Sequence, residues 1–80
     1  MTVQVPAAHL MLYGTAGCHL CEQASALLRQ AGLQATEADV ATDDALLERY
    51  GVRIPVLVRA DGAELDWPFD AATLARFLAR

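Results

Sequence analysis

Residues 9–21 read His9-Leu10-Met11-Leu12-Tyr13-Gly14-Thr15-Ala16-Gly17-Cys18-His19-Leu20-Cys21. The run 9–13 is short, apolar and ended by Gly14, the length and flanking of a buried parallel strand. A turn of small residues follows. From Cys18 the apolar positions are Leu20, Cys21, Ala24, Leu27, Leu28 and Ala31, with Glu22, Gln23, Arg29 and Gln30 between them. That spacing predicts an amphipathic helix, and Gly32 reads as the residue just past its end, where a positive φ is usual. Both cysteines therefore fall at the start of a helix that follows a strand.

The rest of the chain extends this pattern. Residues 33–39 alternate weakly and are read as a second strand. Thr42 or Asp43 can cap a helix running to Tyr50, with Leu46, Leu47 and Tyr50 inward and Gly51 as its stop. Ile54-Pro55-Val56-Leu57-Val58-Arg59 is β-branched and apolar, a strand that opens with proline, where a ladder hydrogen bond can be forgone. Asp61-Gly62 signals a hairpin, and Ala63-Glu64-Leu65-Asp66 returns antiparallel. Asp70 caps a last helix with Leu74, Phe77 and Leu78 inward. The order is β-α-β-α-β-β-α. A β-α-β opening requires a parallel pair, and the closing hairpin adds an antiparallel one. The expected fold is α/β, a four-stranded mixed sheet with helices on its faces, in a single domain over residues 1–80.

Composition narrows the function classes. The chain has 80 residues, 55% hydrophobic and 20% charged, with a net charge of −4. So apolar a chain is not a disordered acidic tail. No run approaches the ~20 apolar residues of a membrane span, and residues 1–8 lack the basic region of a secretory signal. Acidity argues against nucleic acid, and the arginines, spread from Arg29 to Arg80, form no basic stripe in the sequence. A soluble, cytoplasmic, monomeric protein is expected, with neither nucleic acid nor membrane as partner.

The cysteines carry the chemistry. Four or more would suggest a secreted disulfide framework; this chain has two, Cys18 and Cys21, in Cys18-His19-Leu20-Cys21. Bridging them closes a very small loop and adds little chain-entropy stabilisation. Such a disulfide makes chemical sense if it is opened and closed repeatedly. At a helix N-terminus, unpaired N–H groups and the helix dipole favour an anion, so Cys18 is suited to attack as a thiolate, with Cys21 one turn on to resolve. A mononuclear zinc site lacks ligands, since the histidines are only His9, on the first strand, and His19. A cluster shared between chains and completed by outside thiols stays open, as does a pair of cysteines that merely sit in a core helix.

Leu12-Tyr13-Gly14-Thr15-Ala16-Gly17-Cys18-His19-Leu20-Cys21, followed by Tyr50-Gly51-Val52-Arg53-Ile54-Pro55-Val56-Leu57, resembles the thioredoxin/glutaredoxin superfamily, and most nearly its short bacterial glutaredoxin-like proteins. The resemblance runs from about His9 to Arg80. It implies a thioredoxin-like fold, dithiol–disulfide exchange, and a cis Ile54–Pro55 bond with Pro55 beside the cysteines. It also implies an Ile54 backbone free to pair with an extended substrate, and Trp67 on the substrate rim. The departures bear on glutathione. Thr15 stands where glutaredoxins usually carry lysine, Asp66-Trp67 where they carry Gly-Gly, and His19-Leu20 where Pro-Tyr is common. The partner expected is a protein or small-molecule thiol or disulfide, with glutathione a poor one and no cofactor beyond the redox-active disulfide.

Other residues have two readings each. His19 as a cation would modulate the Cys18 thiolate, or it is an exposed first-turn residue. Trp67 anchors a partner or caps the core. Arg53 meets an acidic substrate group or is solvated. Tyr13 and Tyr50 read as core. The function expected is that of a disulfide oxidoreductase, the alternative being a non-catalytic thioredoxin-fold binding module or an iron–sulfur cluster carrier.

Overall fold

The computed structural model describes residues 10–79; the placement of His9 on the first strand lies outside them. The elements are β1 (Leu10–Gly14), α1 (His19–Gln30), β2 (Ala35–Asp39), α2 (Asp44–Tyr50), β3 (Val56–Val58), β4 (Glu64–Asp66) and α3 (Ala71–Leu78), with a 3₁₀ turn at Val40–Thr42 between β2 and α2. The strands lie in the order β2-β1-β3-β4. β1 is parallel to β2, in register from Leu10 on Ala35 to Gly14 on Asp39. It is antiparallel to β3, with Leu12 opposite Leu57, and β3 is antiparallel to β4. This is the thioredoxin-like arrangement that the resemblance implies.

Strand periodicity sorts the side chains into two cores. Leu10, Leu12 and Leu57 face one side, where Ala24 and Leu28 of α1, Leu74 of α3 and Phe69 cover them. Tyr13, Val56 and Val58 face the other, with Val40 and with Leu46 and Tyr50 of α2. The Tyr13 and Tyr50 rings stack at 4.4 Å, which accounts for both tyrosines as core. Leu47, expected inward, is 49% exposed. Leu46 and Tyr50 are four residues apart and share a face of α2; Leu47 is turned about 100° away from Leu46.

The element ends follow local chemistry. Gly32 has a φ of 76°. Its N–H donates to the Arg29 carbonyl and that of Leu33 to the Leu28 carbonyl, while Leu33 packs on the cluster containing Leu28. That is a Schellman motif with its apolar contact, and it delays β2 to Ala35. Asp43 caps α2, accepting from the N–H groups of Ala45 and Leu46 at 2.9 and 3.3 Å, and Asp70 caps α3, accepting from Thr73 at 2.8 Å. β3 starts at Val56 rather than Ile54, because Pro55 has no N–H and that of Ile54 donates to the Tyr50 carbonyl. The hairpin closes with the Gly62 N–H on the Arg59 carbonyl and the Arg59 N–H on the Ala63 carbonyl, and Gly62 takes a φ of 91°. Among the described residues, no helix is long and apolar enough to cross a membrane.

Candidate functional site

Gly17, at a φ of 78°, turns the chain out of the loop after β1 and into α1. Cys18 is the N-cap residue of α1, with extended backbone (φ −87°, ψ 111°). In the place of a capping hydroxyl or carboxylate, its Sγ accepts the backbone N–H of Cys21 at 3.1 Å. The two cysteines form a disulfide with Cα atoms 5.2 Å apart. Cys18 is half-buried, whereas Cys21 is 9% exposed and faces the end of β1.

The other expected site residues fall into two groups. Ile54–Pro55 is cis, as the resemblance implies, and so is Trp67–Pro68, which nothing in the sequence indicated. Pro55 is buried at the start of β3. Val56 is opposite Tyr13, so Pro55 and Gly14 are next to one another at the ends of adjacent strands, on the side of the sheet end where Cys21 sits. The Ile54 backbone is only partly available: its N–H is held by the Tyr50 carbonyl at 3.0 Å, while no loop backbone hydrogen bond among the described residues reaches its carbonyl. This corrects the expectation of a fully free pairing edge. Trp67 lies one strand further out. Its N–H donates to the Pro55 carbonyl at 3.2 Å, and its half-buried ring meets Phe69 edge-on and packs on the larger core.

His19 carries a side chain 89% exposed, with Nδ1 3.9 Å from the Glu22 carboxylate. Arg53, 32% exposed, is paired within the protein. It donates to both Asp66 oxygens at 2.7 and 3.1 Å and to Glu64 at 2.6 Å. Glu64 also accepts from Arg49 and from the Tyr50 hydroxyl, each at 3.1 Å. Arg53 and Arg49 together hold the Glu64 carboxyl down to about 2. Arg49 and Arg53, which flank Tyr50 in the sequence, both approach its ring at 5.4 Å from the centre and turn together to the Glu64 carboxylate. Only the fold could show this, because the two acids come from β4.

A cleft of about 550 Å³ flanks Cys21 on the β2 side, with Gly14, Thr15, Glu22, Glu37 and Asp39 in its wall. Ile54, Pro55 and Trp67 do not line it. The Thr15 hydroxyl donates to Asp39 at 2.9 Å, tying the turn before Cys18 to the end of β2. Sequence reasoning missed Asp39 and the contact between Gly14 and Cys21, for which periodicity carries no signal. Among the described residues, no three His, Cys, Asp or Glu side chains gather as a metal site would require.

Comparisons with known proteins agree with this fold. The X-ray structure of structural-genomics target protein XcR50 from X. campestris is 45% identical, covering 88% of this chain and 95% of that one at a TM-score of 0.83. Its solution structure is 44% identical, covering 89% and 92%, at a TM-score of 0.80. The solution structure of protein Ne2328 from Nitrosomonas europaea is 29% identical, covering 96% and 98%, at 0.78. A search of curated proteins found no match. The family model that matches residues 9–79 covers nearly the whole chain, the Cys18–Cys21 pair and the Ile54–Pro55 turn included: the chain belongs to the glutaredoxin-like domain (DUF836) family.

Proposed function

We propose that the chain is a dithiol–disulfide oxidoreductase of the cytoplasm, with Cys18 as the attacking and Cys21 as the resolving residue. The observation that carries this reading is the Cys18 sulfur at the N-cap of a 12-residue helix, accepting the Cys21 N–H. The same donor and the helix dipole would stabilise a thiolate there once the disulfide is opened. Burial of Cys21 keeps it from the first encounter and leaves it next to the bond it must break.

In the reduced protein the Cys18 thiolate attacks one sulfur of a substrate disulfide. A Cys18–substrate disulfide forms, and the other substrate sulfur leaves as a thiolate and takes a proton from solvent. Cys21, deprotonated to solvent, then attacks the Cys18 sulfur, forms the Cys18–Cys21 disulfide and expels the second substrate thiolate. Two electrons pass to the substrate, and a thiol reductant returns the protein to the dithiol by the reverse exchange. The carbonyl of Ile54 and the cis Pro55 turn would receive an extended substrate segment, with Trp67 at its rim. Exposed and next to Glu22, His19 would act only as a modulator of Cys18.

The test is trapping. Cys21→Ser, incubated with a disulfide-linked reporter peptide, is expected to accumulate a mixed disulfide at Cys18, read by intact mass. An adduct formed by Cys18→Ser instead, or by neither variant, would overturn the assignment. Cluster absorption in anaerobically purified protein would favour an iron–sulfur carrier.

A further inference from the structure

Along β1 the buried positions alternate: Leu10, Leu12 and Gly14 share the face covered by α1. Two leucines fill the first two positions. At the third, a period of two calls for another apolar side chain, yet the residue is glycine. The other described glycines with positive φ, Gly17, Gly32 and Gly62, have open space where a Cβ would go. Gly14 is the reverse case. Its φ lies outside the left-handed region, but a Cβ built on it would stand 2.9 Å from the Cys21 sulfur and 3.1 Å from the Cys21 Cβ. Space, not backbone conformation, requires glycine here.

We propose that Gly14 is a positioning residue that sets the balance between the disulfide and the dithiol, by leaving the Cys21 sulfur the room it occupies when bonded to Cys18. This rests on the exchange reading above. In the disulfide the Cys21 sulfur is held by its bond to Cys18, which is itself fixed at the helix N-cap. In the dithiol that restraint is gone, and the Cys21 side chain can turn into the adjoining cleft, of whose wall it is part. A methyl group at position 14 therefore penalises the oxidised form more than the reduced one. Over-packing of a tight site is destabilising because neighbours must leave their preferred rotamers. Here the 3.1 Å contact with the Cys21 Cβ is common to both redox states, and only the reduced one can move the sulfur away cheaply.

The experiment is Gly14→Ala equilibrated with oxidised and reduced dithiothreitol, with the disulfide fraction read by alkylation and intact mass. The expected result is a disulfide about tenfold easier to reduce than in the parent, equivalent to ~30 mV for a two-electron couple. A general loss of stability does not shift this constant, whereas misplacing the sulfur does. An unchanged constant in a folded variant overturns the proposal. If Gly14→Ala does not fold, Gly14→Ala in a Cys21→Ala background is the second arm. It is expected to lose only a small part of the stability of Cys21→Ala, because the sulfur is gone and only the 3.1 Å contact with the Cβ at position 21 remains; a loss that again prevents folding would place the clash elsewhere and overturn the proposal. A parent protein that does not equilibrate with dithiothreitol overturns the exchange reading instead, and the stability comparison with Cys21→Ala then decides on Gly14 by itself.

Discussion

Replacing Glu64 with glutamine removes the charge on which Arg49 and Arg53 converge while keeping an oxygen acceptor in place. Glu64 is 20% exposed, Arg53 32% and Arg49 66%, so the cluster lies at the surface but is partly covered. The carboxyl titrates at about 2 in the folded protein against about 4.5 for a free one. That difference corresponds to at most ~3 kcal/mol. Solvent and salt screening at a site this open reduces it to about 1–2 kcal/mol. Because folding lowers the pKa, the stabilisation is fully present above about 4.5 and is lost as the pH falls toward 2.

Glu64→Gln is accordingly expected to be less stable than the parent by about 1–2 kcal/mol at pH 7. The two should converge as the pH is lowered through that window. Urea unfolding followed by circular dichroism at several pH values between 7 and 2 measures the gap. Asp61, held down to about 2 chiefly by Arg59, titrates over the same range but is present in both proteins, so it cancels in the difference. A gap that stays constant with pH would show that glutamine harms packing rather than charge pairing, and the electrostatic reasoning would be refuted.

Limiting iodoacetamide on the reduced protein is expected to label Cys18 before Cys21, because Cys21 is only 9% exposed; peptide mass mapping gives the ratio. Glutathione is expected to be a poor substrate in a coupled disulfide assay. The Thr15 hydroxyl is bonded to Asp39 and supplies no cation, and losing a charge-assisted contact costs about 1.5–3 kcal/mol. Leu57→Ala, which removes a fully buried side chain opposite Leu12 and Leu65, should cost about 3–5 kcal/mol in urea unfolding. His19→Ala should leave the alkylation rate of Cys18 within about twofold of the parent at physiological salt, since a side chain 89% exposed acts through screened distance.

What was legible in the sequence was what local chemistry decides. Gly32, Asp43, Asp70 and Asp61-Gly62 each satisfy or redirect a few backbone groups within their own neighbourhood. They marked helix ends and the hairpin wherever the structure places them. The cysteine spacing and its helix N-terminus were legible for the same reason. The ends of β2 and β3 were not, because Leu33 and Ile54 give their N–H groups to neighbouring helix carbonyls before the ladder can use them. Leu47 was misread because a seven-residue helix has only one narrow inward face. The Arg49–Arg53–Glu64–Asp66 cluster and the Gly14–Cys21 contact join residues from different elements, and no periodicity reports which elements become neighbours.

The location of the chemistry follows from topology. β1 is central, parallel to β2 and antiparallel to β3. The C-terminal ends of β1 and β2 therefore meet the N-terminal end of β3 at one edge of the sheet. At that edge the chain leaves β1 toward Cys18, leaves β2 at Asp39 and enters β3 through Pro55. The helix N-terminus must also be there, because a right-handed crossover from β1 to β2 starts its helix where β1 ends. The disulfide, the carboxylate of Asp39 and the proline turn are thus gathered by strand direction, though they are distant in sequence. Gly14 is the last residue of β1, on the face that α1 covers, and so is the point where strand and cysteine pair compete for the same volume. At Gly17, in the turn before Cys18, a Cβ would have open space, whereas at Gly14 it meets the sulfur of Cys21.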